Sequence, residues 1–195
     1  MTWTGVAIAT AGESPIDTAA AKSFLRIDHS DDDTEVDDAI AAARSLIEGP
    51  DGIGYALLAQ TWTLTLDAFP TEILLPGAPV ADVTEVAYVD TDGVSQTLGS
   101  SAWRLNTMSD PASLMPIYGR TWPSIRPVRG GVTVTYTLGH ASAAEIPGGL
   151  MAALRQLVVH FYENRTPVAA EVKSEMPIGV SALLKRYSRR PSVLA

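Results

Sequence analysis

Seven acidic residues fall within thirteen positions of the stretch DHSDDDTEVDDAI, from Asp28 to Ile40, with His29 among them. Carboxylates and an imidazole at that density could hold a hard cation, or could simply open a helix. A calcium loop decides between them on spacing, because it needs glycine at its sixth position and a bidentate glutamate at its twelfth. Counted from Asp28, those places hold Asp33 and Ala39; counted from Asp31, they hold Val36 and Ala42. Both frames fail where the requirement is strictest. His29 then reads as a solvated loop residue. The other histidines, His140 and His160, stand far apart in the chain. His160 and Glu163 share a helix face in HFYE, but the two-histidine zinc-protease pattern is absent. No glycine-flanked serine elbow occurs, and GGV and PGGL lack the lysine and hydroxyl residue of a phosphate loop. No motif therefore points to catalysis, a metal or a cofactor.

The elements that carry these residues fall into three zones. Within residues 16–58, DTAAAKSFLRI is rich in helix formers and can be capped by Asp17 or Thr18. Beyond the acidic stretch, Val36, Ala39, Ile40, Ala43 and Ile47 recur at spacings of three and four, which places them on one helix face. Gly49-Pro50 ends that helix. Its cap is then Asp33 or Thr34, with Glu35, Asp37 and Asp38 in the first turn. Acids there oppose the positive end of the helix dipole, each worth about 0.3–1 kcal/mol.

Residues 60–139 alternate instead. TWTLTLD sets Trp62, Leu64 and Leu66 against threonines, and VTVTYTLG does the same with Val132, Val134 and Tyr136. VTEVAYVDTDGVSQTL reads as a hairpin turning at Asp92-Gly93. Residues 140–195 return to helix. Ile146-Pro147 opens a segment with the stripe Leu150, Leu154, Leu157, Val158 and Phe161, and Asn164 to Pro167 closes it. Polar AAEVKSE reads as a mobile tether, followed by a short helix GVSALLKRY and a basic end. The fold class expected is α+β. Residues 1–59 and 140–195 form one helical body, and 60–139 form an inserted antiparallel β-sandwich or barrel-like module.

Composition bounds the function. The 195 residues are 46% apolar and contain no cysteine, which excludes disulfides and thiolate metal sites. No apolar run approaches a membrane span or a secretory signal core, so the chain reads as soluble and intracellular. A net charge of −8 opposes unspecific nucleic-acid binding. That charge is uneven: ten acids and three bases in residues 1–50, four acids and seven bases in residues 145–195. Such polarity allows copies to attract one another or a charged partner. Trp62, Tyr88, Trp103 and Trp122 sit among strand residues and read as core or interface filling. Arg104, Arg120, Arg126 and Arg129 nearby leave a nucleic-acid contact open.

Several stretches together resemble a known family. FLRIDHSDDDTEVDDAIAAARSLIE is similar to its N-terminal signature: a leucine-arginine pair, an acidic break, then a helix. LLAQTWTLTLDAFP followed by ILLPGAPVADVTEVAYVDTDG resembles the start of its β region. VTVTYTLGH with IPGGLMAALRQLVVHFYENR resembles the passage into its long helix, and MPIGVSALLKRYSR its C-terminal segment. The family is the head–tail connector, or adaptor, proteins of tailed bacteriophages and phage-derived gene transfer agents. The resemblance spans nearly the whole chain in order.

That resemblance implies a structural protein, not an enzyme, assembled as a ring, commonly twelvefold, beneath the portal protein of a particle. The ring would join the DNA-filled head to the next tail-side component and continue the DNA channel. It further implies portal docking by the C-terminal segment, here Leu183, Leu184, Lys185, Arg186, Tyr187, Arg189 and Arg190. Apolar side chains would supply anchor area and arginines would pair with carboxylates. Asp31, Asp32 and Asp33 are candidates for an acidic channel lining or for an inter-subunit contact. An acidic lining repels phosphate, so DNA would pass without specific binding. Two alternatives stand beside it: another junction component, such as a stopper or tail-completion protein, and a small enzyme with dispersed site residues.

Overall fold

The computed structural model describes residues 5–164 and 178–189. Four helices and eight strands are assigned there, and the class is α+β. The acidic stretch does open a helix. Helix α1 (Thr18–Leu25) is capped by Asp17, whose carboxylate accepts from the Ala20 N–H at 2.7 Å. Helix α2 (Asp33–Ile47) starts one residue earlier than its sequence suggests. Asp32, not Asp33 or Thr34, holds the cap position, and its side chain does not cap the helix. Asp33 and Glu35 occupy the first turn, while Asp37 and Asp38 fall beyond it. The five spaced apolar residues of α2 are all buried.

The chain then enters the β region through strand β2 (Gln60–Leu66), followed by β3 (Ile73–Leu75), β4 (Val80–Val89) and β5 (Ser95–Thr97). Strands β6 (Trp103–Asn106), β7 (Ala112–Pro116) and β8 (Val132–Leu138) complete it. An additional strand, β1 (Val6–Thr10), comes from the segment before α1. It lies at the sheet edge against β2, with Val6 opposite Leu64 and Ile8 opposite Trp62. A boundary at residue 59 assigns this segment to the helical body, whereas it pairs with the β module. Its five residues, VAIAT, lack an apolar–polar alternation and are mostly exposed, so they do not announce a strand; the open edge of β2 recruits them.

One sheet has the order β1-β2-β8-β4-β5 and the other β3-β7-β6, and all pairings are antiparallel. Strand β8 is the centre of the larger sheet. Its Val132, Val134, Tyr136 and Leu138 are buried, as the period of two requires. With Trp62, Leu64, Val83 and Val86 they meet Ile73, Leu75 and Leu114 of the smaller sheet in one apolar cluster. The two sheets thus close on a shared core.

Helix α3 (Gly148–Glu163) takes Pro147 as its cap and presents Leu150, Leu154, Leu157 and Val158 fully buried, with Phe161 half-buried. Helix α4 (Ile178–Tyr187) follows. A second apolar cluster combines Ala21 of α1, the buried face of α2, the stripe of α3, and Val180 and Leu184 of α4. Each fully buried aliphatic side chain there contributes about 1.5–3 kcal/mol.

Between the clusters runs a polar relay. Glu48, which ends α2, lies beneath the start of β2. One carboxylate oxygen accepts from Arg44 Nε (2.9 Å) and lies 2.7 Å from Nη2 in an ion pair; the other accepts from the Leu57 N–H (3.3 Å) and Gln60 Nε2 (3.1 Å). Gln60 Oε1 in turn accepts from the indole N–H of the buried Trp62 at 2.8 Å. Arg44 Nη2 also donates to the Gly12 carbonyl at 2.8 Å, so the relay reaches the segment after β1. Burial holds the Glu48 carboxyl above its ordinary range, against the opposing pull of Arg44 and the donors from Leu57 and Gln60. Nearby, Gly139 is required by its backbone: at φ 102°, a Cβ would stand 2.1 Å from the Leu58 carbonyl oxygen.

Removing Glu48 from this partly buried ion pair leaves Arg44, the Leu57 N–H and Gln60 without this acceptor. Glu48→Ala should therefore lower unfolding free energy by about 3 kcal/mol, and Glu48→Gln by about 1–2 kcal/mol, in chemical denaturation. A Glu48→Ala value within about 0.5 kcal/mol of the parent, the range of ordinary surface changes, would contradict this role.

Candidate interaction surfaces

The acidic stretch is divided between internal stitches and free charge. Asp33 accepts from Lys22 Nζ of α1 at 2.6 Å, and Asp37 accepts from the Thr18 hydroxyl at 2.5 Å. Asp32 accepts from the Tyr162 hydroxyl of α3. Three carboxylates of one segment thus tie α2 to α1 and to α3. Asp28, Asp31, Glu35 and Asp38 are exposed. No group of three His, Asp or Glu residues is placed to hold a metal ion among the described residues. Of Asp31, Asp32 and Asp33, then, Asp31 is exposed with no partner among the described residues, Asp33 is paired with Lys22 although its side chain stays 45% exposed, and Asp32 is partly covered and engaged with Tyr162.

A groove of about 750 Å³ lies between α2 and α3, with Asp32, Glu35 and Asp38 on its rim and Ala39, Ala42 and Phe161 among its apolar lining. His29 is exposed in the loop before α2, and His160 lies on α3 with Asn164 Nδ2 at 3.4 Å from its Nδ1.

The C-terminal residues separate into two groups. Leu184 is buried in the helical cluster, Leu183 packs partly against it, and Lys185 and Arg186 are exposed. Tyr187 meets the Tyr55 ring edge-on at 6.2 Å. The Arg189 N–H donates to the Ile53 carbonyl at 2.8 Å, and its guanidinium lies 3.4 Å from Asp110 in the turn between β6 and β7. The tether 169–175 and Arg190 lie outside the described residues. Removing the chain beyond Pro177 would strip Val180 and Leu184 from the core, so the exposed cations are the cleaner probes.

Tyr55 also stacks on His140, and its hydroxyl lies 3.1 Å from His140 Nε2. Burial pushes the His140 pKa below its ordinary value, opposed by Glu145. A depressed imidazole stabilises the fold above its unfolded pKa, and that stability is lost as pH falls through the folded one.

On the β side, Trp62 is enclosed, while Tyr88, Trp103 and Trp122 are half-buried against the sheet cluster. Phe69 stacks on Trp122 at 4.8 Å and 9°, and Tyr88 meets Phe69 edge-on at 5.9 Å. They underlie the long connection between β7 and β8, residues 117–131, which carries Tyr118, Arg120, Arg126 and Arg129 exposed. The arginines are evident from the sequence; the exposure of Tyr118 and Ile117 is not, and the loss of alternation after Pro116 is its one signal.

No helix among the described residues is long and apolar enough to cross a membrane. No protein-family model and no curated protein matches the chain. Solved structures do. A chain in the neck of an empty gene transfer agent particle, computed with C6 symmetry, shares 27% identity at a TM-score of 0.71, over 97% of this chain and 98% of that one. A chain of the virion of the native gene transfer agent particle gives 27% and 0.69, with coverage of 97% and 98%. One in the neck of the native particle, computed with C12 symmetry, gives 26% and 0.65, over 96% and 99%. The likeness seen in the sequence to connector proteins of phage-like particles is thus matched by structures of the head–tail junction.

Two measurements test these placements. Leu184→Ala should cost about 2–4 kcal/mol of stability, whereas Lys185→Ala should stay within about 0.5 kcal/mol, by denaturant titration. Equal effects would mean α4 does not pack on this core. Lowering pH from about 7.5 to about 5.5, across the ordinary imidazole pKa, should reduce Tm more in the parent than in His140→Gln. Parallel slopes would remove His140 from the account.

Proposed function

We propose that this relative of gene-transfer-agent neck components is the head–tail adaptor of a phage-like particle. In this reading it forms a homo-oligomeric ring, twelvefold, under the portal protein, links the head to the next tail-side component, and continues the DNA channel. The observation that carries the reading is similarity to a neck chain over 97% of this chain and 98% of the other at 27% identity. Agreement over full length favours the same part of a particle over a shared fold alone.

The physical features fit a structural role. Several polar groups are spent on ties between elements, as in the Glu48 relay and the Asp32, Asp33 and Asp37 stitches. Residues 1–59 and 140–195 act as one body around the helical cluster, with β1 crossing to the module of residues 60–139. Lys185 and Arg186, exposed on α4, are the docking cations toward portal carboxylates, with Leu183 and Tyr187 beside them. Leu184, buried in its own chain, would serve by holding the helix in place. Asp31 is the exposed residue of the proposed acidic lining, and net negative charge supports passage of DNA without retention.

Mixing the purified chain with portal rings of the same particle and imaging the product tests the assignment. A ring of this chain seated on the portal is expected. Lys185→Glu with Arg186→Glu should abolish seating while Tm stays unchanged. Retained binding would move the docking surface elsewhere. Tailed particles maturing normally after deletion of the chain would defeat the adaptor role altogether.

A further inference from the structure

Two surface features at opposite ends of the molecule complement each other. Strands β2 and β8 run in register from Gln60–Leu138 at one end to Leu66–Val132 at the other. The first end adjoins Glu48, Tyr55 and the helical cluster. The second adjoins the 117–131 connection, where the Gly130 N–H donates to Asp67 at 2.7 Å. Seven strand residues separate the ends, a span of about 20 Å.

The distal connection is built as a projecting, braced surface. Its tip turns through the Arg120 N–H to Ile117 carbonyl bond (3.0 Å), with Gly119 at φ 78° and open space around it. Tyr118 is 101% exposed and Ile117 42%, high for large apolar side chains. The base is held by the Phe69–Trp122 stack and by the Arg126 N–H on the Val89 carbonyl at 3.1 Å. Beside the tip lies a cleft of about 640 Å³ lined by Phe69, Glu72, Met115, Tyr118, Arg120 and Trp122, with Glu72 outside ion-pair distance of Arg120. Arg120, Arg126 and Arg129 have no carboxylate within salt-bridge distance among the described residues. Exposed tyrosine and arginine on a rigid support are the residue types that concentrate binding energy at interfaces.

The α2–α3 groove has the opposite character: exposed Glu35 and Asp38 without a basic partner among the described residues, over an apolar floor of Ala39, Ala42 and Phe161. Small alanines leave room for an inserted side chain. Copies related by cyclic symmetry touch through two different faces of the same chain, so a ring requires such a complementary pair. The lining of the groove and the lining of the tip cleft share no residue, so the two surfaces are separate faces of one chain.

We infer that the 117–129 loop of one copy docks into the α2–α3 groove of a second copy of this chain, Tyr118 entering over Ala39 and Ala42 and Arg120 facing Glu35 and Asp38. This rests on the neck reading and adds the subunit contact to it. The occupant is a second copy and not nucleic acid, because the chain's net charge of −8 repels phosphate while its own unpaired acids supply the complement.

Absence of cysteine makes the contact directly measurable. Tyr118→Cys combined with Asp38→Cys in one chain, oxidised within intact particles, should give a covalent ladder extending past the dimer. Each single variant should remain monomeric on denaturing gels. Incorporated double variant without cross-links, or dimers from Tyr118→Cys alone, would overturn the contact; the first outcome would leave the loop to the tail-side protein, the second to a tip-to-tip pairing. In a second arm, Arg120→Glu should reduce incorporation about tenfold or more, as like charges are brought together, and Asp38→Arg in the same chain should restore it. Failure of that restoration counts against the pairing. Absence of even the parent chain from particles would instead defeat the neck reading, and this inference with it.

Discussion

The Glu48 carboxylate is the tie on which the architecture depends. It stands where a helix ends and a sheet begins, and it serves both: Arg44 from the helix, Leu57 and Gln60 from the strand side. Burial makes its charge costly, and three donors with the Arg44 charge offset that cost. Through Gln60 the tie continues to Trp62, inside the sheet cluster, and through Arg44 to Gly12. Two apolar clusters, each able to form from its own periodicity, are thereby set in one relative position. A particle component that must present several faces to neighbours at fixed angles needs that rigidity more than it needs reactive groups.

Acidic density is turned to the same end. Asp32, Asp33 and Asp37 cross-link α2 to its neighbours, while Glu35 and Asp38 are left facing outward. One short segment thus supplies internal order and an outward charge pattern. At the far end of the sheet, stacked aromatics brace a loop of unlike charge. The resulting pattern, acids at the α2–α3 groove and arginines on the 117–131 loop, suits a subunit that repeats head to tail around an axis.

Rigid, full-length similarity to neck chains gives this polarity its setting. A short helix whose Leu184 is inside and whose Lys185 and Arg186 are outside offers a charged ridge without loosening the core. In the proposed ring, binding energy would be multiplied over many copies, so weak ionic contacts per subunit would suffice for a stable junction.

The sequence by itself determined the local patterns. Val36 to Ile47 at helical spacing and Val132 to Tyr136 at strand spacing declared their buried faces, because burial of one face imposes a period that is readable over a dozen residues. It also carried enough ordered likeness to indicate a head–tail junction. Only the tertiary structure decided which polar residues meet. Asp32 and Tyr162 stand 130 positions apart, and no period links them. Strand β1 was hidden for the same reason: its five residues become a strand only when the edge of β2 offers them hydrogen bonds. The faces of the exposed loop and groove were equally invisible, since opposition of two ends is a property of how β2 and β8 align, not of either segment alone.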